Sequence, residues 1–305
     1  MFEAWLGARL KKTPPFEPAI ENAVFSSGTP PSEVGFHYNP VVVGSRLYHF
    51  GFYTGTAGSN RARYYDTTTN TFKELAPLPT TVYGACALHA NGKIYILGGT
   101  RGNGSNTVII YDIASNTYTQ SIRVLPAMTF FAAAIKDNLI YIANADNTGT
   151  LYIYNILTDT YTTTALNVPS LNCGSCTIVG DYIYVFGGRT AGTLIHQRTA
   201  YRIHLTTLLV QQLEPLPHPL MVVWNRFVHK KYIVFVGGFD ASSVSSFTHG
   251  FFYYDTETDM YKVLTTPQNI RGYAWSGLID NTFYMIGGIT NNTGKSDTLK
   301  LTLAI

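Results

Sequence analysis

Charge is scarce in this chain of 305 residues: Asp, Glu, Lys and Arg together make up 13%, about half of what a typical soluble domain carries. A highly charged disordered binder is excluded by that scarcity. The net charge is +3 and no basic run exceeds a pair such as Lys11-Lys12, so an electrostatic nucleic-acid footprint is not expected. Three cysteines, Cys86, Cys173 and Cys176, are too few for a disulfide framework. No stretch of 18 apolar residues exists, so no transmembrane helix is expected. The opening MFEAWLGARLKKTPPFEP has an early acid, a late basic pair and no sustained apolar centre, so it does not read as a secretory signal. A cytoplasmic or particle-associated (virion) location is the corresponding expectation.

What replaces charge is Thr, Asn, Ser, Gly and Tyr, a hydroxyl-and-amide composition that suits strands and tight turns. An internal repeat then sets the architecture. KIYILGG, ending at Gly98-Gly99, returns as DYIYVFGG at Gly187-Gly188, KYIVFVGG at Gly237-Gly238 and NTFYMIGG at Gly287-Gly288. Weaker copies are RLYHFGF, with Gly51, and NLIYIANA, where Ala143-Asn144 is taken to stand for the pair. With Gly51, Gly98, Ala143, Gly187, Gly237 and Gly287 equivalent, the spacings are 47, 45, 44, 50 and 50, the period of a four-stranded propeller blade.

Each unit continues in one order. A variable loop leads to a strand closing on Tyr65-Asp66, Tyr111-Asp112, Tyr154-Asn155 or Tyr254-Asp255, and six residues later comes an aromatic: Phe72, Tyr118, Tyr161 or Tyr261. The intervening TTTN, IASN, ILTD and TETD read as turns in which Asp or Asn bonds its own backbone. In the fourth unit Ile203-His204 and Val210 replace these residues, so irregular outer strands are expected there. These six copies resemble the kelch-repeat β-propellers over residues 22–305. The resemblance implies an all-β, six-bladed kelch-type propeller with four-stranded blades, in which the glycine pair, the tyrosine and the aromatic are scaffold. The last unit stops at LKLTLAI, one strand short, and AVFSSGTPP aligns with FKELAPLP. Residues 22–28 are therefore expected to complete the sixth blade and remove an exposed edge.

Two groups of residues remain for function. Loops after the second strand and segments entering the next blade emerge on one face. Among them Phe36, His37, Tyr83, Arg101, Phe131, Arg189, Arg198, Trp224 and Tyr273 are the candidate ligand contacts. Aromatics can stack on sugar rings or anchor a peptide, and arginine forks take carboxylates. The same aromatics could equally plug the channel. Further loop candidates are Arg61, Arg63 and His196. Cys173-Gly-Ser-Cys176 lacks the second ligand pair a zinc site needs and reads as buried thiol. The histidines show no HExxH spacing. No cofactor, metal site or acid/base pair is nominated.

Residues 1–21 form a separate arm, in which Phe2, Trp5, Leu6 and Leu10 fall on one helical face before Pro14-Pro15. Ten residues make a marginal helix in water, so its own ring, a second copy or an assembly must hold it if it is ordered. The resulting expectation is a non-enzymatic recognition or scaffold module that takes a protein or glycan partner on the loop face. It suits a virion- or particle-surface accessory by composition. The alternative is a sugar-converting enzyme resembling the sialic-acid mutarotases, which work in a propeller funnel.

Overall fold

The computed structural model describes residues 20, 24–28, 40–99, 106–121, 125–128, 130–143, 149–166, 168, 171–172, 174–190, 195–220, 225–238, 250–265, 270–290 and 293–303. Within them the chain forms six four-stranded antiparallel sheets. Blade 1 runs Val41–Val43, Arg46–Phe50, Ala62–Asp66 and Thr71–Glu74 from inner to outer strand. Blade 2 uses Cys86–Ala90, Lys93–Leu97, Val108–Asp112 and Thr117–Gln120, and blade 3 Ala132–Lys136, Leu139–Ala143, Thr150–Asn155 and Thr160–Ala165. Blade 4 comprises Ser175–Val179, Tyr182–Phe186, Ala200–His204 and Val210–Gln212; blade 5 Arg226–His229, Tyr232–Val236, Phe251–Asp255 and Met260–Val263. Blade 6 takes Trp275–Ile279, Thr282–Ile286 and Thr298–Thr302 and is completed by Val24–Gly28 from the other end of the chain.

Six apolar clusters hold these sheets together, each lying between two consecutive blades. One of them joins Leu47 and Tyr65 of blade 1 to Trp275 and Ile286 of blade 6, so the sheets close into a ring. This explains the continuous apolar second strands. KIYIL and YIVFV are covered on both faces by neighbouring blades, as buried sheets require. Outer strands such as TFKE alternate towards solvent and are mostly exposed.

The closing strand pairs Val24 with Thr302, Ser26 with Lys300 and Gly28 with Thr298, and Ile20 just before it is fully buried in the blade 5–6 cluster. Register also moves one equivalence. Gly98 and Gly187 follow the first residue of their second strand, Lys93 and Tyr182, by five. In blade 3 that strand begins at Leu139, which makes Asn144, outside the described residues, the counterpart of Gly98. Ala143 is the last strand residue, paired with Ala132.

The Tyr-Asp pair divides its work. Asp66, Asp112 and Asp255 accept the amide two residues on at 3.0, 3.1 and 2.9 Å. The tyrosine hydroxyl donates to the Asn or Asp five residues on, at 2.9 Å for Tyr111–Asn116 and 2.7 Å for Tyr154–Asp159. Asn116 and Asp159 have φ of 55° and 52°, the left-handed position that Asn and Asp tolerate best. These turn-ending residues thus serve the tyrosine, while the preceding Asp caps the turn. The aromatics mostly reach the preceding blade: Tyr118 donates to the Ala76 carbonyl at 2.7 Å and Tyr261 to that of Glu214 at 3.1 Å. Tyr161 is the exception and stays exposed.

Blade 4 is regular, contrary to the sequence expectation. Tyr201, Arg202 and Ile203 pair with Gln212, Gln211 and Val210. His204 Nδ1 accepts the amides of Thr206 and Thr207, both at 3.2 Å, and so replaces the Asp or Asn oxygen used in blades 1, 2, 3 and 5. Accordingly His204→Ala is expected to cost about 1 kcal/mol, the worth of a lost side-chain cap. His204→Asp, restoring the usual acceptor, should cost nothing measurable in denaturant unfolding.

Candidate functional site

Antiparallel order puts the loops after second strands and the segments entering first strands on one face of the ring. The glycine pair builds that face. Gly99 N donates to Met128 O at 3.0 Å and Gly188 N to Leu220 O at 2.7 Å, joining each loop to the segment entering the next blade. A Cβ on Gly98, whose φ is +62°, would stand 2.5 Å from that same Met128 oxygen. The segments therefore cross the loops at a distance only glycine permits.

On this face three rings from different segments meet. Tyr53 lies in the loop after the second strand of blade 1, Tyr83 enters blade 2, and Phe130 enters blade 3. Their centroids are 5.1 Å apart for Tyr53–Tyr83 and 6.3 Å for Tyr83–Phe130. Phe130 is half-buried with φ +55°, a conformation that costs a bulky residue about 1–2 kcal/mol. Its amide donates to Gly84 O at 2.9 Å, which holds it there. Tyr273, entering blade 6, is likewise half-buried with φ +54°. Beside it the buried Arg271 reaches Asp297 Oδ1 at 2.8 Å and Oδ2 at 3.2 Å. The guanidinium holds the Asp297 carboxyl below its ordinary value.

The sequence-nominated contacts divide accordingly. Tyr83 is 7% exposed and part of the aromatic cluster. Phe131 is turned inward, 3% exposed in the blade 2–3 core, so its neighbour Phe130 is the presented ring. Arg189 is half-buried and its backbone forms an antiparallel β-bridge with that of His196, while Arg198 is exposed and its Nε donates to the Leu216 carbonyl. Phe36, His37, Arg101 and Trp224, like the arm residues Phe2, Trp5, Leu6 and Leu10, lie outside the described residues. Tyr53 was legible only as part of a loop. Its register just past Gly51 is the signal that could have singled it out.

Arg63, expected on the rim, is fully buried between blades 1 and 6. Its Nε donates to His49 Nε2 at 2.8 Å, and its Nη1 stands 3.9 Å from Glu74 Oε1. The His49 and Trp275 rings are 4.4 Å apart, and Trp275 is fully buried in the blade 1–6 core. Alternation sets the side: Arg63 is the second residue of its strand and points with Tyr65 towards blade 6, opposite to Ala62 and Tyr64, which pack against blade 2.

Burial, reinforced by the Arg63 charge, pushes the His49 pKa well below 6.5. In the unfolded chain His49 takes a proton near pH 6.5 that the folded protein refuses. Stability therefore falls as pH drops through that value, by up to about 1.4 kcal/mol per unit, and levels off below the folded pKa. His49→Gln, which keeps an acceptor for Arg63, should remove this slope between about pH 6.5 and 5 in thermal unfolding. An unchanged slope would assign the acid sensitivity elsewhere.

A second feature lies on the ring axis. The inner strands line a central cavity of about 380 Å³, bordered by Cys86, Ser175, Cys176 and Arg226 among others. Cys173, the other half of the CxxC, is outside the described residues. Burial pushes the Cys86 thiol up to about 11 and that of Cys176 to about 12, so neither is a nucleophile at neutral pH. Among the described residues no group of three His, Cys, Asp or Glu side chains is placed to hold a metal ion, and no helix is long and apolar enough to cross a membrane.

Comparison with known proteins adds one match. Residues 82–120, the whole of blade 2 with its entering segment, match the family model of the Kelch motif. No curated protein matches the chain. Kelch propellers commonly serve as scaffolds for protein interaction. The chain is therefore a six-bladed β-propeller whose second blade carries the Kelch motif.

Proposed function

We propose that the protein is a recognition scaffold that takes a protein partner on its loop face, with Tyr53, Tyr83 and Phe130 as the anchor. The observation that carries this reading is the left-handed Phe130, which keeps a large ring half-exposed at a cost of about 1–2 kcal/mol. Strain of that kind is maintained where function needs the side chain in place. Aromatic rings with little rotameric freedom are the residues that dominate interface energies. The scarcity of charge leaves hydroxyl and amide groups for the rim, which suits a wet, adaptable surface.

The test places a photoreactive phenylalanine analogue at position 130 and, as a control, at Leu209, which is 72% exposed in the turn of the opposite face. A discrete adduct is expected from native extract at position 130 only, suppressed by excess unlabelled protein and not by Phe130→Gly. The glycine variant should keep its stability, because relief of the left-handed strain offsets the backbone entropy of glycine, about 1 kcal/mol. Identical adducts at both positions would remove the loop face from consideration.

A further inference from the structure

Blade 3 ends in Thr160–Ala165, six residues long and the longest outer strand among the described residues. Its sequence TYTTTA is uncharged, and every residue except Thr164 is exposed. The edge of a sheet pairs with other strands unless charge, proline or shortness prevents it. The outer strands of blades 1 and 5 carry Lys73, Glu74 and Lys262, and that of blade 4 has only three residues. Blade 3 has none of these protections. Its aromatic is also released from the usual task. Tyr118 and Tyr261 are bonded to the preceding blade, whereas Tyr161 is 37% exposed and its ring meets Tyr152 of its own blade.

Ladder register shows which backbone groups face outward. Leu166 N donates to Gly149 O at 2.9 Å, and Thr164, Thr162 and Thr160 stand opposite Leu151, Ile153 and Asn155. Antiparallel pairs alternate between bonded and non-bonded, so those three threonines engage the third strand of the blade. Tyr161, Thr163 and Ala165 therefore turn their N–H and C=O groups away from it, and among the described residues these groups meet no backbone partner. The three positions are symmetric about Thr163. An identical antiparallel strand, with a two-fold axis at Thr163, places Tyr161 opposite Ala165 of the second copy and Thr163 opposite its own equivalent. All three positions then exchange both bonds. The side chains agree with this register: a large ring lies beside a methyl group, and on the other face Thr162 pairs with Thr164. No like charges meet.

We propose that the protein self-associates through this edge, two copies joining their third blades about a two-fold axis into one continuous sheet. The occupant is a second copy because the outward backbone groups, the alternation of large and small side chains and the lack of charge are all self-complementary about one residue, as an isologous contact requires. A six-residue edge buries less than a standard interface. The dimer is accordingly weak, with a Kd on the order of 10–100 µM. The proposal is independent of the loop-face reading, because it uses the rim of blade 3 and none of the same side chains.

Sedimentation velocity of the full chain between about 1 and 500 µM is the test. The wild type should pass from monomer to dimer in that range. T163P removes one outward donor and leaves the ladder to the third strand intact, so it should weaken dimerisation roughly tenfold or more with little change in the thermal midpoint. Charge reads the register directly, and does so even if the proline variant does not fold. T163K and T163E should each stay monomeric, because like charges face each other at the axis, while their equimolar mixture should form a heterodimer. Q120K, at the corresponding edge position of blade 2, should dimerise like the wild type. A wild type that stays monomeric to about 500 µM would overturn the assignment in favour of a strand from another protein. Dimers unchanged by T163P and T163K, or a mixture that associates no better than its components, would overturn it as well.

Discussion

Removal of residues 1–28 is expected to open the ring and cost on the order of 5 kcal/mol. The five residue pairs from Val24–Thr302 to Gly28–Thr298 vanish with it, and each backbone hydrogen bond lost is worth about 1 kcal/mol. Ile20 leaves the blade 5–6 core as well. At this chain length the thermal midpoint should fall by roughly 8 °C. The strand Thr298–Thr302 then becomes a bare edge, and such edges recruit other chains. Size-exclusion chromatography should show higher oligomers beside the early calorimetric transition. Deletion of residues 1–19 alone, which spares Ile20 and the strand, should retain most of the stability. If the short deletion costs as much as the long one, closure is not where the stability resides.

The second large effect is expected from Gly98→Ala, at roughly 3 kcal/mol. Two penalties combine there: φ of +62°, costing a non-glycine residue about 1–2 kcal/mol, and a Cβ only 2.5 Å from Met128 O and 2.8 Å from Met128 Cγ. The carbonyl cannot retreat freely, because it accepts the Gly99 amide at 3.0 Å. Gly92 in the same blade separates the two penalties. Its φ is +72°, yet a Cβ there meets nothing within 4 Å, so Gly92→Ala should cost only about 1 kcal/mol. Denaturant midpoints of the two variants would measure the steric part by difference. Equal losses would mean that blades do not depend on the close crossing of loop and entering segment.

Much of this architecture was legible because propeller blades repeat a demanding geometry. A second strand covered on both faces must be apolar throughout, which is why KIYIL and YIVFV stand out, and the close crossing leaves glycine as the residue that fits. The closing strand could be inferred from the shortfall of the last unit. Blade 4 was misjudged, because the sequence shows residue types and the turn needs only an acceptor, which His204 Nδ1 supplies. The blade 3 equivalence slipped by one residue for a related reason: with no glycine present, only hairpin register shows that Leu139 begins the strand.

Side-chain placement was far less legible than backbone. Phe130 and Phe131 are adjacent aromatics, and only the left-handed φ at 130 shows which one is presented and which packs beneath Gly98. Arg63 looked like a loop cation but takes a fully buried position against His49.

The sequence alone therefore determined the number of blades, their strand order and the joining of the two ends. Those follow from local rules, apolar run, glycine pair and turn residue, written out six times. Only the tertiary structure decided which residues from different blades share a neighbourhood: the Tyr53–Tyr83–Phe130 cluster, the Arg63–His49–Trp275 contact and the central cavity that Cys86, Cys176 and Arg226 border. Such neighbourhoods join positions tens to hundreds of residues apart, and their spacing is set by ring closure, which no repeat unit contains by itself.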